Sequence, residues 1–187
     1  KSHKINKTAA PLYRICVPVY NTSRPSTYVH KAGENEGPME VPMEKNVIIS
    51  IKGVQRLEDA EPDTMELVTE GRLEQDGNSY TLSYQESELT GLEGTLTTFQ
   101  VEPERVTLLR VGEFNSQMVF QEGRRHLAMY NTPYGSMTIG VNTRHLLADL
   151  TERGGDIEID YAIEIDHTVA GRNVFQISVR EMGETAS

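Results

Sequence analysis

Between Asp156 and Ile165 apolar and polar positions alternate strictly, with Ile157, Ile159, Tyr161, Ile163 and Ile165 separated by Asp156, Glu158, Asp160, Ala162 and Glu164. A period of two is the signature of a strand with one buried and one wet face. Thr64 to Gln75 repeats it, placing Met65, Leu67, Thr69, Gly71 and Leu73 on one side and Glu66, Val68, Glu70, Arg72 and Glu74 on the other. Further strands are predicted over 47–57, 79–89, 94–100, 105–112, 114–121, 126–132, 135–143 and 174–180. Turn chemistry separates them: Asp76-Gly77-Asn78, Glu102-Pro103-Glu104, Gly112-Glu113, Glu122-Gly123 and Ala170-Gly171-Arg172-Asn173.

Short strands in succession with tight turns make a meander. A long antiparallel sheet has to manage its two edges and usually curls until it closes. The expected fold is therefore all-β: an antiparallel up-and-down barrel of 8–10 strands over residues 46–187. A two-sheet sandwich would need a long crossover, and only 144–155 offers one. There Leu146, Leu147 and Leu150 suit a helical turn as well as a further strand.

Composition changes the picture at the N-terminal end. Residues 1–45 carry seven Lys/Arg against four Glu, a balance of +3, and residues 46–187 carry eleven against twenty-four acids, a balance of −13. Five of the eight prolines also fall in 1–45. Each removes a backbone donor and restricts its predecessor. This stretch reads as an irregular arm, either docked on the acidic body through Tyr13, Ile15 and Val17 or a disordered tail. The 187 residues suit one core plus that appendage. A single Cys16 excludes an internal disulfide framework. No apolar run approaches the roughly 18 to 20 residues that span a bilayer, and residues 1–30 lack a signal-peptide pattern, so the expectation is a soluble protein. A body at −13 repels phosphate backbones, which argues against nucleic acid as a partner.

Strand phase also puts polar groups on the buried face. Glu86 shares a phase with Tyr80, Leu82 and Tyr84, Arg110 with Val106 and Leu108, and Tyr130 and Thr132 with His126 and Ala128. A buried charge needs a partner, so Glu86 and Arg110 are expected to meet each other or a ligand. One reading is a polar anchor in a ligand cavity, Arg110 holding an anionic group and Tyr84, Tyr130 and Thr132 lining the space. The other is an internal salt bridge that fixes register in a barrel filled by its own side chains.

The ordered series Thr69-Glu70-Gly71, the run from Tyr84 to Thr98, Arg110-Val111-Gly112, Met118-Val119-Phe120, Gly123 and Tyr130-Asn131-Thr132-Pro133-Tyr134-Gly135 resembles the small bacterial YwiB-like family. Gly154-Gly155 and the Tyr161 strand continue the likeness, which covers roughly Val47 to Glu181. The resemblance implies a calycin-like, lipocalin-type barrel and a bacterial cytoplasmic setting, and it transfers no catalytic residue because that family's biochemical function is uncharacterised. The segment 130–135 joins two strands, either as a rim that contacts ligand through Tyr134 or as a hairpin with packed tyrosines.

Sharper chemistries find little support. The five histidines have no His-Glu-x-x-His spacing, so no metal or cofactor is expected. Cys16 lacks an activating neighbour and no Gly-x-Ser-x-Gly elbow exists. Glu86 and Glu88 are a possible carboxylate pair for hydrolysis. The leading expectation is a non-enzymatic binder of a small anionic or amphipathic ligand in the barrel, through Glu86, Arg110, Tyr130, Tyr84, Thr132 and Tyr134. The alternatives are an interaction or scaffold protein with a self-filled barrel, and a hydrolase-like enzyme using Glu86.

Overall fold

The computed structural model describes residues 43–57, 60–112, 115–132 and 135–183, with 129–132 and 135–137 described by backbone path alone. The first 42 residues of the expected arm, and Tyr134, lie outside the described residues. Ten strands follow one another: β1 (Met43–Arg56), β2 (Asp63–Asp76), β3 (Ser79–Gln85), β4 (Thr95–Glu102), β5 (Arg105–Gly112), β6 (Ser116–Phe120), β7 (Arg125–Thr132), β8 (Gly135–Thr151), β9 (Gly154–Ile165) and β10 (Thr168–Glu181). β1 starts at Met43, three residues inside the stretch assigned to the arm. No helix of the described residues is long and apolar enough to cross a membrane.

All ten strands form one antiparallel sheet in the order β6-β5-β4-β3-β2-β1-β10-β9-β8-β7. The first and last strands pair over Val47↔Glu181 to Arg56↔Arg172, so the meander curls onto itself. The seam falls elsewhere, between β6 and β7, which are consecutive but share no ladder. Thr143 of β8, fully buried, bridges it: its carbonyl accepts from Gly123 N at 3.0 Å, its N–H donates to the Arg124 carbonyl at 3.1 Å, and its hydroxyl accepts from Gln121 N at 3.3 Å. The result is a nearly closed all-β barrel, consistent with the calycin-like fold that the resemblance implies.

The segment 144–155 is neither helix nor loop. β8 runs through it to Thr151 with a bulge between Thr143 and His145. The extra residue, Arg144, switches the phase: Ile139, Val141 and Thr143 face inwards before it, Leu146, Ala148 and Leu150 face the core after it, and Leu147 turns outwards, half exposed. That switch breaks the period-two pattern and gives the leucines their helical appearance.

Side chains from nearly every wall fill the interior. Ile49, Leu82, Leu108, Phe120, Ile139, Ile159, Ile163 and Ile177 are essentially inaccessible. Tyr161 spans the middle, its ring 4.9 Å from that of Phe120 and 5.8 Å from that of Phe175. Gly71 makes room on β2, because a Cβ there would collide with Ile49 Cδ1 and stand 2.5 Å from the Ser83 carbonyl oxygen. Beside the aromatic layer, Gln55 Nε2 donates to Asn173 Oδ1 at 3.0 Å, a buried amide pair joining β1 to β10.

Candidate functional site

Phase alone aims Tyr84 and Arg110 inwards, and the antiparallel register brings them to the same end of the barrel. Thr97 is the link: it stands opposite both Tyr84 on β3 and Arg110 on β5. Glu86, one step beyond β3, continues the inward phase and its N–H donates to the Thr95 carbonyl at 2.9 Å, which pins the base of the loop that follows. Its carboxylate is almost inaccessible, with the side chain 1% exposed against 10% for Arg110. Glu86 Oε1 accepts from the Thr97 hydroxyl at 2.5 Å and lies 3.8 Å from Arg110 Nε. Oε2 has no hydrogen-bond partner among the described residues, and neither has the buried Ser116 hydroxyl, opposite Arg110 on β6.

Residues 86–94 close this end. Two turns, held by Thr90 N to the Ser87 carbonyl at 3.2 Å and Gly91 N to the Glu88 carbonyl at 3.0 Å, fold Thr90 and Leu92 inwards as a plug. Gly91 at φ 68° and Gly94 at φ 77° make the reversals that an L side chain resists. Leu89 stands outside at the tip, 89% exposed. Beneath the plug lies a cavity of about 20 Å³ bounded by Tyr84, Glu86, Arg110, Phe99 and Phe175. It has room for about one water molecule. The phenol of Tyr84 is held far above its ordinary pKa of 10.0, first because it is buried and then because the Glu86 carboxylate is beside it, with Arg110 opposing.

Of the six residues expected to bind ligand, the structure brings together Glu86, Arg110 and Tyr84. The side chains of Tyr130 and Thr132 are outside the described set, although the backbone pairs them with Met137 and Gly135. Tyr134 lies wholly outside it. Thr97 was legible in principle, because it shares a phase with the buried Phe99 and Val101. The carboxylate pair considered for hydrolysis is not assembled: Glu86 is buried under the loop and Glu88 is exposed on it. No group of three His, Cys, Asp or Glu among the described residues is arranged to hold a metal ion.

The profile of a domain of unknown function, DUF1934, matches residues 49–177, which take in nearly the whole barrel. The chain belongs to the DUF1934 family. A further likeness is to the crystal structure of ywiB protein from Bacillus subtilis, with a TM-score of 0.65 and 23% identity over 75% of this chain and 94% of that one. At that identity the likeness speaks for the fold. No curated protein matches the chain.

This DUF1934 barrel offers more room on its surface than at its polar end. The outer faces of β2, β1, β10, β9 and β8 form an open concavity of about 420 Å³, the hollow expected of a strongly twisted sheet. Ser50 and Ser178, directly paired, give it a low floor. Val68, 70% exposed, and Leu147, 50% exposed, stand at its two sides. Polar contacts rim it: Lys52 Nζ lies 3.0 Å from Glu66 Oε1, and Gln176 Nε2 donates to Glu158 Oε2 at 3.3 Å. At the other barrel end, Tyr80, Val101 and Leu150 line a smaller open pocket of about 310 Å³ among turn residues.

Proposed function

We propose that the protein is a non-enzymatic binding barrel that takes a small amphipathic molecule on its outer face, with its interior filled by its own side chains. The supporting observation is a difference in volume. The cavity at Glu86 and Arg110 holds about 20 Å³, far below the roughly 300 Å³ of a small-molecule site, and the outer concavity offers about 420 Å³. A substrate has no room beside Glu86, which weighs against the hydrolase reading. The Glu86–Arg110 pair is then an internal fastening of β3, β4 and β5. The ligand's apolar part would lie against Val68 and Leu147, with its polar groups over Ser50 and Ser178. A bacterial cytoplasmic setting belongs to the same proposal and rests on the family resemblance and the single Cys16.

A titration with Nile red, a neutral probe whose emission rises in apolar surroundings, tests this. Saturable binding is expected, with affinity reduced about tenfold or more in Val68→Asp and in Leu147→Asp. Both positions are exposed, so the variants keep their fold. Absence of saturable binding, or an affinity in both variants equal to that of the parent protein, would refute the outer-face reading.

A further inference from the structure

Arg56 and Arg172 face each other directly across the β1–β10 ladder. Both are exposed, alternating with the buried Gln55 and Asn173. Like charges at opposed positions of an antiparallel pair repel, whereas an opposite charge there is favourable. Here neither guanidinium has an ion-pair or hydrogen-bond partner among the described residues. Their surroundings explain this. Arg172 meets Ala162 on its β9 side, and the β1–β2 ladder ends at Gln55↔Asp63, so no strand residue stands across from Arg56 there. Glu164, one step along β9, is engaged by Arg125 Nε at 2.6 Å. Yet carboxylates are abundant, 28 against 18 Lys/Arg, and Lys45, Lys52, Arg72, Arg105 and Arg125 each have one within 3.0 Å.

The two arginines also wall a pocket. Arg56, Leu57, Val169, Ala170, Gly171 and Arg172 line a half-open pocket of about 300 Å³, at the lower bound of small-molecule sites. Its back is the β-bulge of β10, where the register jumps from Val169↔Glu164 to Gly171↔Ile163 and leaves Ala170 out of the ladder. Bulges commonly occur beside binding sites, where they interrupt pairing and re-aim side chains. Leu57 and the half-exposed Val169 add apolar surface next to the charges.

We infer that Arg56 and Arg172 form a binding site for a phosphate group, most favourably the phosphate of a monoester whose apolar body rests on Leu57 and Val169. Two planar guanidinium forks on adjacent strands supply several N–H donors to a tetrahedral dianion, and its charge offsets their mutual repulsion. A single carboxylate would engage only one fork fully and leave the other arginine as it is. This site lies apart from the outer concavity and involves none of its residues, so it stands or falls independently of the binding proposed there.

The test is a titration of the full chain, followed by amide chemical shifts in ¹⁵N-labelled protein, with inorganic phosphate in one arm and phenyl phosphate in the other. Saturable shifts centred on Arg56, Ala170, Gly171 and Arg172, with dissociation constants in the millimolar range or below, are expected in both arms, and tighter binding of phenyl phosphate would identify the monoester. Equal affinities would identify free phosphate as the ligand and leave the shared chemistry in place. Arg56→Gln and Arg172→Gln should each weaken binding about tenfold, with the lysine variants in between. Absence of saturation, or unchanged affinity in the Arg56→Gln/Arg172→Gln double variant, would overturn the inference. So would a drop in the double variant's melting temperature in phosphate-free buffer, because the arginines would then be serving the fold itself.

Discussion

Arg110 Nε sits 3.8 Å from Glu86 Oε1 inside a barrel end that Leu92 and Thr90 seal. The pair ties the start of loop 86–94 to β5 through a carboxylate that is almost inaccessible from outside. Burying both charges is costly, and their attraction together with the Thr97 hydrogen bond offsets that cost only while both are present.

Arg110→Ala therefore leaves Glu86 buried opposite nothing cationic, and a loss of about 3 to 5 kcal/mol in urea-unfolding stability is expected. Combining it with Glu86→Leu should restore much of the loss, since apolar replacement of a whole buried pair is close to neutral. A loss below about 1 kcal/mol for the single variant would be the behaviour of a surface arginine and would contradict the burial.

Tyr84 sets an alkaline limit. Its phenol has a raised pKa in the folded protein, so above about pH 10 the unfolded chain binds fewer protons than the native one. The sign is therefore negative: stability from this group is intact below pH 10 and falls above it by roughly 1.4 kcal/mol per pH unit. Chemical denaturation between pH 9 and 11 should show that decline, with a shallower limb in Tyr84→Phe.

Gly71→Ala probes the packing under β2. The added methyl meets Ile49 Cδ1, which can rotate, and the Ser83 carbonyl oxygen, which cannot move without disturbing β3. Overpacking of this kind costs about 1 to 3 kcal/mol. Thermal melting that matched the parent protein would mean that β2 and β3 separate more easily than their register suggests.

The β9–β10 turn works in the opposite direction. Asp166 at φ 49° and His167 at φ 65° both occupy the left-handed region, as the central residues of a type I′ hairpin do. Asp tolerates that region well, but His167 pays a local strain that glycine lacks. After allowing for the extra chain entropy of glycine, His167→Gly should raise stability by about 0.5 to 1 kcal/mol, read as a higher denaturant midpoint with an unchanged slope.

Much of this arrangement is legible from alternation. In β9 Ile157, Ile159, Tyr161 and Ile163 are buried and Ile165 packs against them, and in β2 the Met65 to Leu73 phase faces the core as expected. The same reading pointed Tyr84, Glu86 and Arg110 inwards, because each shares its face with leucines and valines that have to be buried. It left 144–155 open between a helical turn and a further strand; the strand is what forms, and one bulged residue changes which leucines are interior. A period-two pattern carries no record of such an insertion until the partner strand's register is known.

The chain's own pattern thus decided the strands, their faces and the meander, since those follow from side-chain period and from turn residues a few positions apart. Three features were decided only by tertiary structure. The seam lies between β6 and β7 because β1 and β10 pair with each other, a contact between opposite ends of the described chain. The space at Glu86 and Arg110 shrank to about 20 Å³ because Leu92, Phe99 and Phe175 arrive there from three separate segments. Arg56 and Arg172 became neighbours through the same β1–β10 register. Each depends on side chains remote in sequence meeting at a fixed distance, and local alternation does not specify that distance.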